Sequence, residues 1–130
     1  MSQIKGRDTK PEKIVRSTLH TLGYRFRLHR KDLPGKPDIT LPKHKTVVFV
    51  HGCFWHGHKG CRRAARPMSN IEFWNTKIDA NMRRDRSAQR ALTTLGWRYI
   101  IVWQCEMRDM LALKSKLDQL LKKGSRKQKV

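Results

Sequence analysis

Val47-Val48-Phe49-Val50 is a run of apolar, mostly β-branched residues, and the positions that follow it hold His51, Cys53, Phe54, Trp55, His56, His58 and Cys61. Such a run reads as a buried central strand, so the loop after it emerges at the end of a sheet carrying three imidazoles and two thiols. Imidazole and thiolate are metal ligands, and imidazole is also the usual general base near neutral pH. Adjacent bulky aromatics stack on nucleic-acid bases. One short stretch is therefore equipped to hold a metal, do chemistry and touch a substrate.

The flanking sequence supplies the rest of a fold. Thr9-Lys10-Pro11-Glu12 has capping-box spacing and opens a helix with Ile14, Val15, Leu19 and Leu22 on one face, stopped by Gly23. Tyr24, Phe26 and Leu28 alternate with Arg25, Arg27 and His29, the period of a strand with one wet, basic face. After the turn cluster Leu33–Pro37, Asp38–Leu41 reads as a short strand, Pro42–Lys45 as a hairpin connection and Thr46–Val50 as its buried partner. Ser69-Asn70-Ile71-Glu72 repeats the capping spacing and opens a long helix, kinked or split, that ends at Gly96. Trp97–Trp103 gives a fourth strand, its tryptophans assigned to the core, and a last helix covers about Glu106–Leu121. This order predicts an α/β fold: a mixed sheet flanked by helices.

A chain of 130 residues is most simply one domain. Its formal net charge of +20 points to a polyanionic partner, because so much like charge repels itself in a compact fold. Residues 122–130 read as a basic, disordered tail after a folded unit spanning residues 1–121. There is no apolar run long enough to span a bilayer and no signal-peptide stretch, so no membrane partner and a cytoplasmic location are expected. In a reducing compartment three cysteines point to metal rather than to disulfides.

Cys53, His58 and Cys61 lie close in sequence, and Cys105 follows the fourth strand, whose end can bring it beside them. A Cys3His set is a closed tetrahedral zinc site of the structural kind. Spacing alone leaves His56 competing with His58, because Cys53-x-x-His56 serves as well as His58-x-x-Cys61. Asp38, at the start of a strand paired to Thr46–Val50, together with a nearby backbone carbonyl, offers the oxygen ligands that Mg²⁺ accepts. On its own terms Asp85 reads as a surface ion pair or as the carboxylate that orients an imidazole, and Glu12 as a helix cap.

Asp8-Thr9-Lys10-Pro11-Glu12, Leu33-Pro34-Gly35-Lys36-Pro37-Asp38, Phe49-Val50-His51-Gly52-Cys53-Phe54-Trp55-His56, Glu72-Phe73-Trp74 and Val102-Trp103-Gln104-Cys105 together resemble the very short patch repair (Vsr) DNA mismatch endonucleases over about residues 1–121. The resemblance implies a restriction-endonuclease-like fold with a structural zinc. It also implies a monomeric enzyme that acts on bacterial nucleoid DNA. The reaction expected of it is Mg²⁺-dependent nicking of one strand of double-stranded DNA, 5′ of the thymine in a T·G mismatch left by deamination of 5-methylcytosine.

By the same resemblance Cys53, His58, Cys61 and Cys105 are zinc ligands and His56 is the general base. Asp38 and the backbone carbonyl of Val50, which stands where a threonine is common, hold Mg²⁺, while His51 and Glu12 hold metal-bound waters. Asp85 pairs with the catalytic histidine, and Phe54, Trp55 and Trp74 form an aromatic wedge that enters the base stack. Two other readings fit part of the pattern. A basic zinc module that binds RNA or DNA without catalysis uses the charge and cysteines but leaves Asp38, His51, His56 and Asp85 idle. A restriction-type nuclease of the same fold would use all of them on paired DNA.

Overall fold

The computed structural model describes the backbone of residues 10–128 and the side chains of residues 10–62 and 64–122. Thr9, half of the first expected capping box, lies outside the described residues. The elements run α1 (Lys10–Thr21), β1 (Arg27–Leu28), β2 (Ile39–Leu41), β3 (Thr46–His51), α2 (Ile71–Thr94), β4 (Arg98–Trp103) and α3 (Met110–Gln128). The strands form one sheet in the order β1-β2-β3-β4. β1, β2 and β3 pair antiparallel, with Ile39 opposite Val48, whereas β3 and β4 are parallel, with His51 opposite Trp103. Parallel neighbours need a crossover, and α2 is that crossover.

Alternation along β3 divides the molecule into layers. Val48 packs with Ile39, Leu41, Ile100 and Val102 against Val15 and Leu19 of α1 and Leu113, Leu117 and Leu121 of α3. Val47 and Phe49 point the other way, into a smaller cluster with Leu33 and Leu92 of α2. The sheet is thus covered by α1 and α3 on one face and by α2 on the other, as expected of a mixed α/β fold. His51, in phase with Val47 and Phe49, faces α2.

Several expectations are corrected. The alternation from Tyr24 to Leu28 predicts a longer strand than the two residues found, and Leu28 is exposed. Tyr24 and Phe26 do pack on the larger core, so the pattern reported burial rather than pairing. Pairing stops at His29, whose φ of 51° turns the chain out of the extended region. The second capping box is absent: Asn70 precedes α2 in a left-handed conformation and no side chain caps the helix. α2 itself is a single 24-residue helix rather than a split one. β2 begins one residue after Asp38. Gln104–Arg108 is a 3-10 segment, so α3 starts at Met110 and extends beyond Leu121 to Gln128.

α2 lies close against the loops at the end of β3, and two glycines permit it. A Cβ at Gly35 (φ +79°) would meet Ala88 Cβ at 2.8 Å, and one at Gly57 (φ +59°) would meet Met82 Sδ at 2.6 Å. Both positions need the left-handed region and the missing side chain.

Candidate active site and metal cluster

The loop after β3 folds back through His56 N–H to Gly52 carbonyl and His58 N–H to Cys53 carbonyl, at 3.2 and 3.0 Å. These turns aim successive side chains in different directions. Cys53 and His58 point toward β4, where they meet Cys61 and Cys105, and one ligand atom from each of the four lies within 4.8 Å of the others. Cys105 N–H donates to Cys53 Sγ at 3.4 Å, and Cys105 Sγ is 3.5 Å from His58 Nδ1. A tetrahedral zinc with Zn–S bonds of about 2.3 Å would hold its sulfurs about 3.8 Å apart, so the donor set fits such an ion. Burial, with the Cys53 and Cys61 sulfurs beside it, pushes the Cys105 thiol up to about 11. A bound cation reverses that balance, since a coordinating thiol gives up its proton. The nitrogen of this cluster is His58; His56 faces elsewhere.

His56 turns toward α2. Its Nδ1 lies 2.7 Å from Asp85 Oδ2, and His51 stacks on it with ring centroids 3.8 Å apart and planes 5° from parallel. With Nδ1–H donated to the carboxylate, Nε2 is left as the proton acceptor. His51 Nε2 is 3.9 Å from the other Asp85 oxygen. Burial, and then the neighbouring His56, pull the His51 imidazole down to about 4 against the opposing attraction of Asp85, so it is neutral at physiological pH.

Across the same cavity, of about 800 Å³, stand Asp38 and Glu12. Asp38 Oδ2 accepts the Val50 N–H at 2.7 Å across the β2–β3 end. Burial raises the Asp38 carboxyl to about 6; the Val50 hydrogen bond opposes that rise and the Glu12 charge adds to it. Glu12 is 5 % exposed at its side chain, within 3.7 Å of His29 Nε2 and 3.6 Å of Arg16. Ligand atoms of Glu12, His29 and Asp38 come within 4.8 Å of one another, a mixed oxygen and nitrogen set suited to a divalent cation. Two carboxylates this close repel each other unless a cation or a proton lies between them.

Phe54, Trp55 and Trp74 form a third group. Phe54 and Trp55 meet edge to face at 5.3 Å, as do Phe54 and Trp74, and Trp55 to Trp74 is 5.7 Å. Trp55 is 41 % exposed, and its carbonyl is held by the Asn81 amide of α2 at 2.9 Å.

Comparison with known proteins decides what this arrangement belongs to. A family model described as DNA mismatch endonuclease Vsr matches residues 1–63. The chain is 54 % identical over 121 residues to the type II nicking enzyme V.XorIIP of Xanthomonas oryzae pv. oryzae, covering 93 % of this chain and 88 % of that protein. It is 44 % identical over 108 residues to the DNA mismatch endonuclease Vsr of Escherichia coli, covering 83 % and 69 %. The chain belongs to the Vsr DNA mismatch endonuclease family. A third relative, the type II nicking enzyme V.NmeAIP of Neisseria meningitidis, is 43 % identical over 122 residues.

In this Vsr family member the structure sorts the expected residues into separate groups. Cys53, His58, Cys61 and Cys105 are together; His51, His56 and Asp85 are together; Asp38 and Glu12 are together, with the Val50 backbone beside them. His51, expected to hold metal-bound water, lines the same cavity as Glu12 and Asp38, with His56 and Asp85 as its near neighbours. His29 was missed altogether. Its signal was the antiparallel pairing of β1 and β2, which sets His29 N–H 3.2 Å from the Asp38 carbonyl. Trp103, expected in the core, is half-buried between His58 and His51.

Proposed function

We propose that this chain is a divalent-metal-dependent endonuclease that nicks one strand of duplex DNA 5′ of the thymine in a T·G mismatch. The observation that carries this reading is the cavity with an oriented imidazole, His56 on Asp85, facing the carboxylates Asp38 and Glu12. A general base opposite a metal-type carboxylate pair is the equipment of phosphodiester hydrolysis. The family membership and the printed names of the relatives, nicking enzymes and a mismatch endonuclease, support the same chemistry. No helix among the described residues is long and apolar enough to cross a membrane. On this reading the mixed sheet is restriction-endonuclease-like, and the protein acts as a monomer on DNA of the bacterial cytoplasm.

His56 Nε2 takes the proton of the attacking water, and Asp85 holds the ring in the needed tautomer and stabilises its protonated form. His51, neutral and stacked on His56, packs its ring plane in place. Asp38 and the Val50 carbonyl would hold Mg²⁺, and His51 and Glu12 would orient the water around it. The ion, when bound, supplies positive charge against the phosphate oxygens and the leaving 3′ oxygen. Cys53, His58, Cys61 and Cys105 would hold a structural zinc, which would tie the loop to the end of β4.

Phe54, Trp55 and Trp74 enter the base stack at the lesion. Opening a base step costs a few kcal/mol, least at a mismatch, so insertion converts weak stacking into selectivity. The Lys and Arg excess supplies phosphate contacts. The test is a strand-specific nicking assay on T·G and matched duplexes with Mg²⁺ and then EDTA. Cutting only of the T strand, only at the mismatch and only with metal is expected. A protein that binds DNA without metal-dependent cutting, or cuts paired DNA equally, would overturn the reading.

A further inference from the structure

The ends of β3 and β4 carry a continuous run of rings between the Cys/His cluster and the candidate base. His58 lies flat on Trp103, with centroids 4.0 Å apart and planes 7° from parallel. Trp103 meets His51 edge to face at 5.2 Å and 76°, and His51 lies flat on His56 at 3.8 Å and 5°. The parallel register sets His51 directly opposite Trp103, so the contact is built into strand pairing. The Trp103 backbone is also fastened: its main-chain N–H donates to Glu106 Oε1 at 2.7 Å, and Glu106 is held by Lys116 at 2.8 Å. Lys116 in turn reaches the Ile101 carbonyl of β4, at 2.8 Å.

We propose that Trp103 is a positioning residue that couples the Cys/His cluster to the reaction: its indole fixes the plane of His51, and through it His56, according to where the cluster holds His58. Rings packed in succession, flat at the two ends of the run and edge to face at Trp103–His51, move together, because a gap at any contact forfeits its attraction. This inference rests on the reading of His58 as a zinc ligand and of His56 as the base. It adds that the two sites are mechanically one, with the indole as the link.

The experiment exchanges Zn²⁺ for the larger Cd²⁺ in the full chain and follows the imidazole ring signals by long-range ¹H–¹⁵N NMR. Elemental analysis of the purified protein establishes metal content first. Exchange is expected to move the ring signals of His58, His51 and His56 in the wild type, and of His58 alone in Trp103→Leu. Trp103→Leu should also lower kcat about tenfold with DNA affinity unchanged, and Trp103→Phe should restore most of the rate. Unmoved His51 and His56 signals on exchange in the wild type overturn the coupling without any variant. Equal movement in Trp103→Leu also overturns it, by showing that the loop backbone carries the effect. If Trp103→Leu does not fold, Trp103→Phe decides instead, by a smaller His51 and His56 response than the wild type. A chain that takes up no zinc overturns the cluster reading and the coupling together, whereas zinc uptake with unmoved rings overturns the coupling alone.

Discussion

His56 Nδ1 and Asp85 Oδ2 sit 2.7 Å apart although 29 residues separate them in sequence. The contact joins a loop at the end of β3 to the middle of α2 and fixes which imidazole nitrogen is free. His56→Ala should lower the single-turnover nicking rate by about 10²–10⁴-fold while DNA affinity, measured by fluorescence anisotropy, stays the same. Asp85→Asn should reproduce much of that loss, since an amide can lock the wrong tautomer. Wild-type rates in either variant would remove the pair from the reaction.

Asp38 should cost the metal-free fold stability above its own raised pKa. The carboxyl rises from 3.8 in the unfolded chain to about 6 in the fold. The favourable protonated state is thus fully present below about pH 4 and lost as pH climbs through 6. Asp38→Asn should therefore raise the melting temperature of the metal-free protein at pH 8 and leave it unchanged near pH 4. The shift sets a ceiling of about 3 kcal/mol at 1.36 kcal/mol per unit. The same variant should not nick. Calorimetry at the two pH values checks it, and equal changes at both would be the contrary result.

His29 touches Glu12 and lies across from Asp38, so it should tune metal binding without taking part in proton transfer. His29→Gln is expected to raise the Mg²⁺ concentration for half-maximal nicking by about 10–100-fold, the usual loss for a group that supports metal ligands. The rate at saturating metal should fall far less. A titration of initial rate against Mg²⁺ separates the two effects.

Removal of the cluster metal should loosen the site as a whole. Cys105→Ser, or chelation followed by return of Mg²⁺ alone, is expected to lower the melting temperature and abolish nicking together, because Cys53 and Cys61 bracket the segment that carries His56. Thermal melts with and without a chelator, alongside zinc quantification, provide the check. A chelated protein with unchanged melting and activity would deny the cluster a structural role.

Trp55 is exposed while its backbone is held by Asn81, an arrangement that presents a ring without letting the loop retreat. Trp55→Ala should reduce the ratio of T·G to matched-duplex cleavage by about tenfold or more, the stacking of one base being worth ~1–3 kcal/mol. Parallel single-turnover assays on both duplexes measure it. A retained ratio with slower cutting of both would assign Trp55 to packing.

Much of the frame was legible in the chain. The apolar run of β3 announced its own burial, and Cys105 could be placed near Cys53 once β4 was set beside β3. What was lost depended on contacts between elements. His29 looked like one member of a wet strand face with Arg25 and Arg27, and only the pairing of β1 with β2 turns it toward Asp38. The inner stripe of α2 mixes chemistries: Trp74, Ile78, Asn81, Asp85, Ala88 and Leu92 fall at helical spacing but show no common polarity, so periodicity does not reveal it. That stripe follows the partners it meets, from Phe54 and Gly57 through His56 to Gly35, rather than a single core. Asp85, surrounded by arginines, could be separated from a surface ion pair only by family resemblance.

The unbroken course of α2 has a consequence for where the cut falls. Trp74 and Asp85 are eleven residues apart, three turns on one face, and at 1.5 Å per residue they stand about 16 Å from each other. The ring proposed to probe the lesion and the carboxylate proposed to aim the base are therefore marks on a single helix. On the proposed function, helix geometry would set the distance from damage to scission, with no sequence readout needed to measure it.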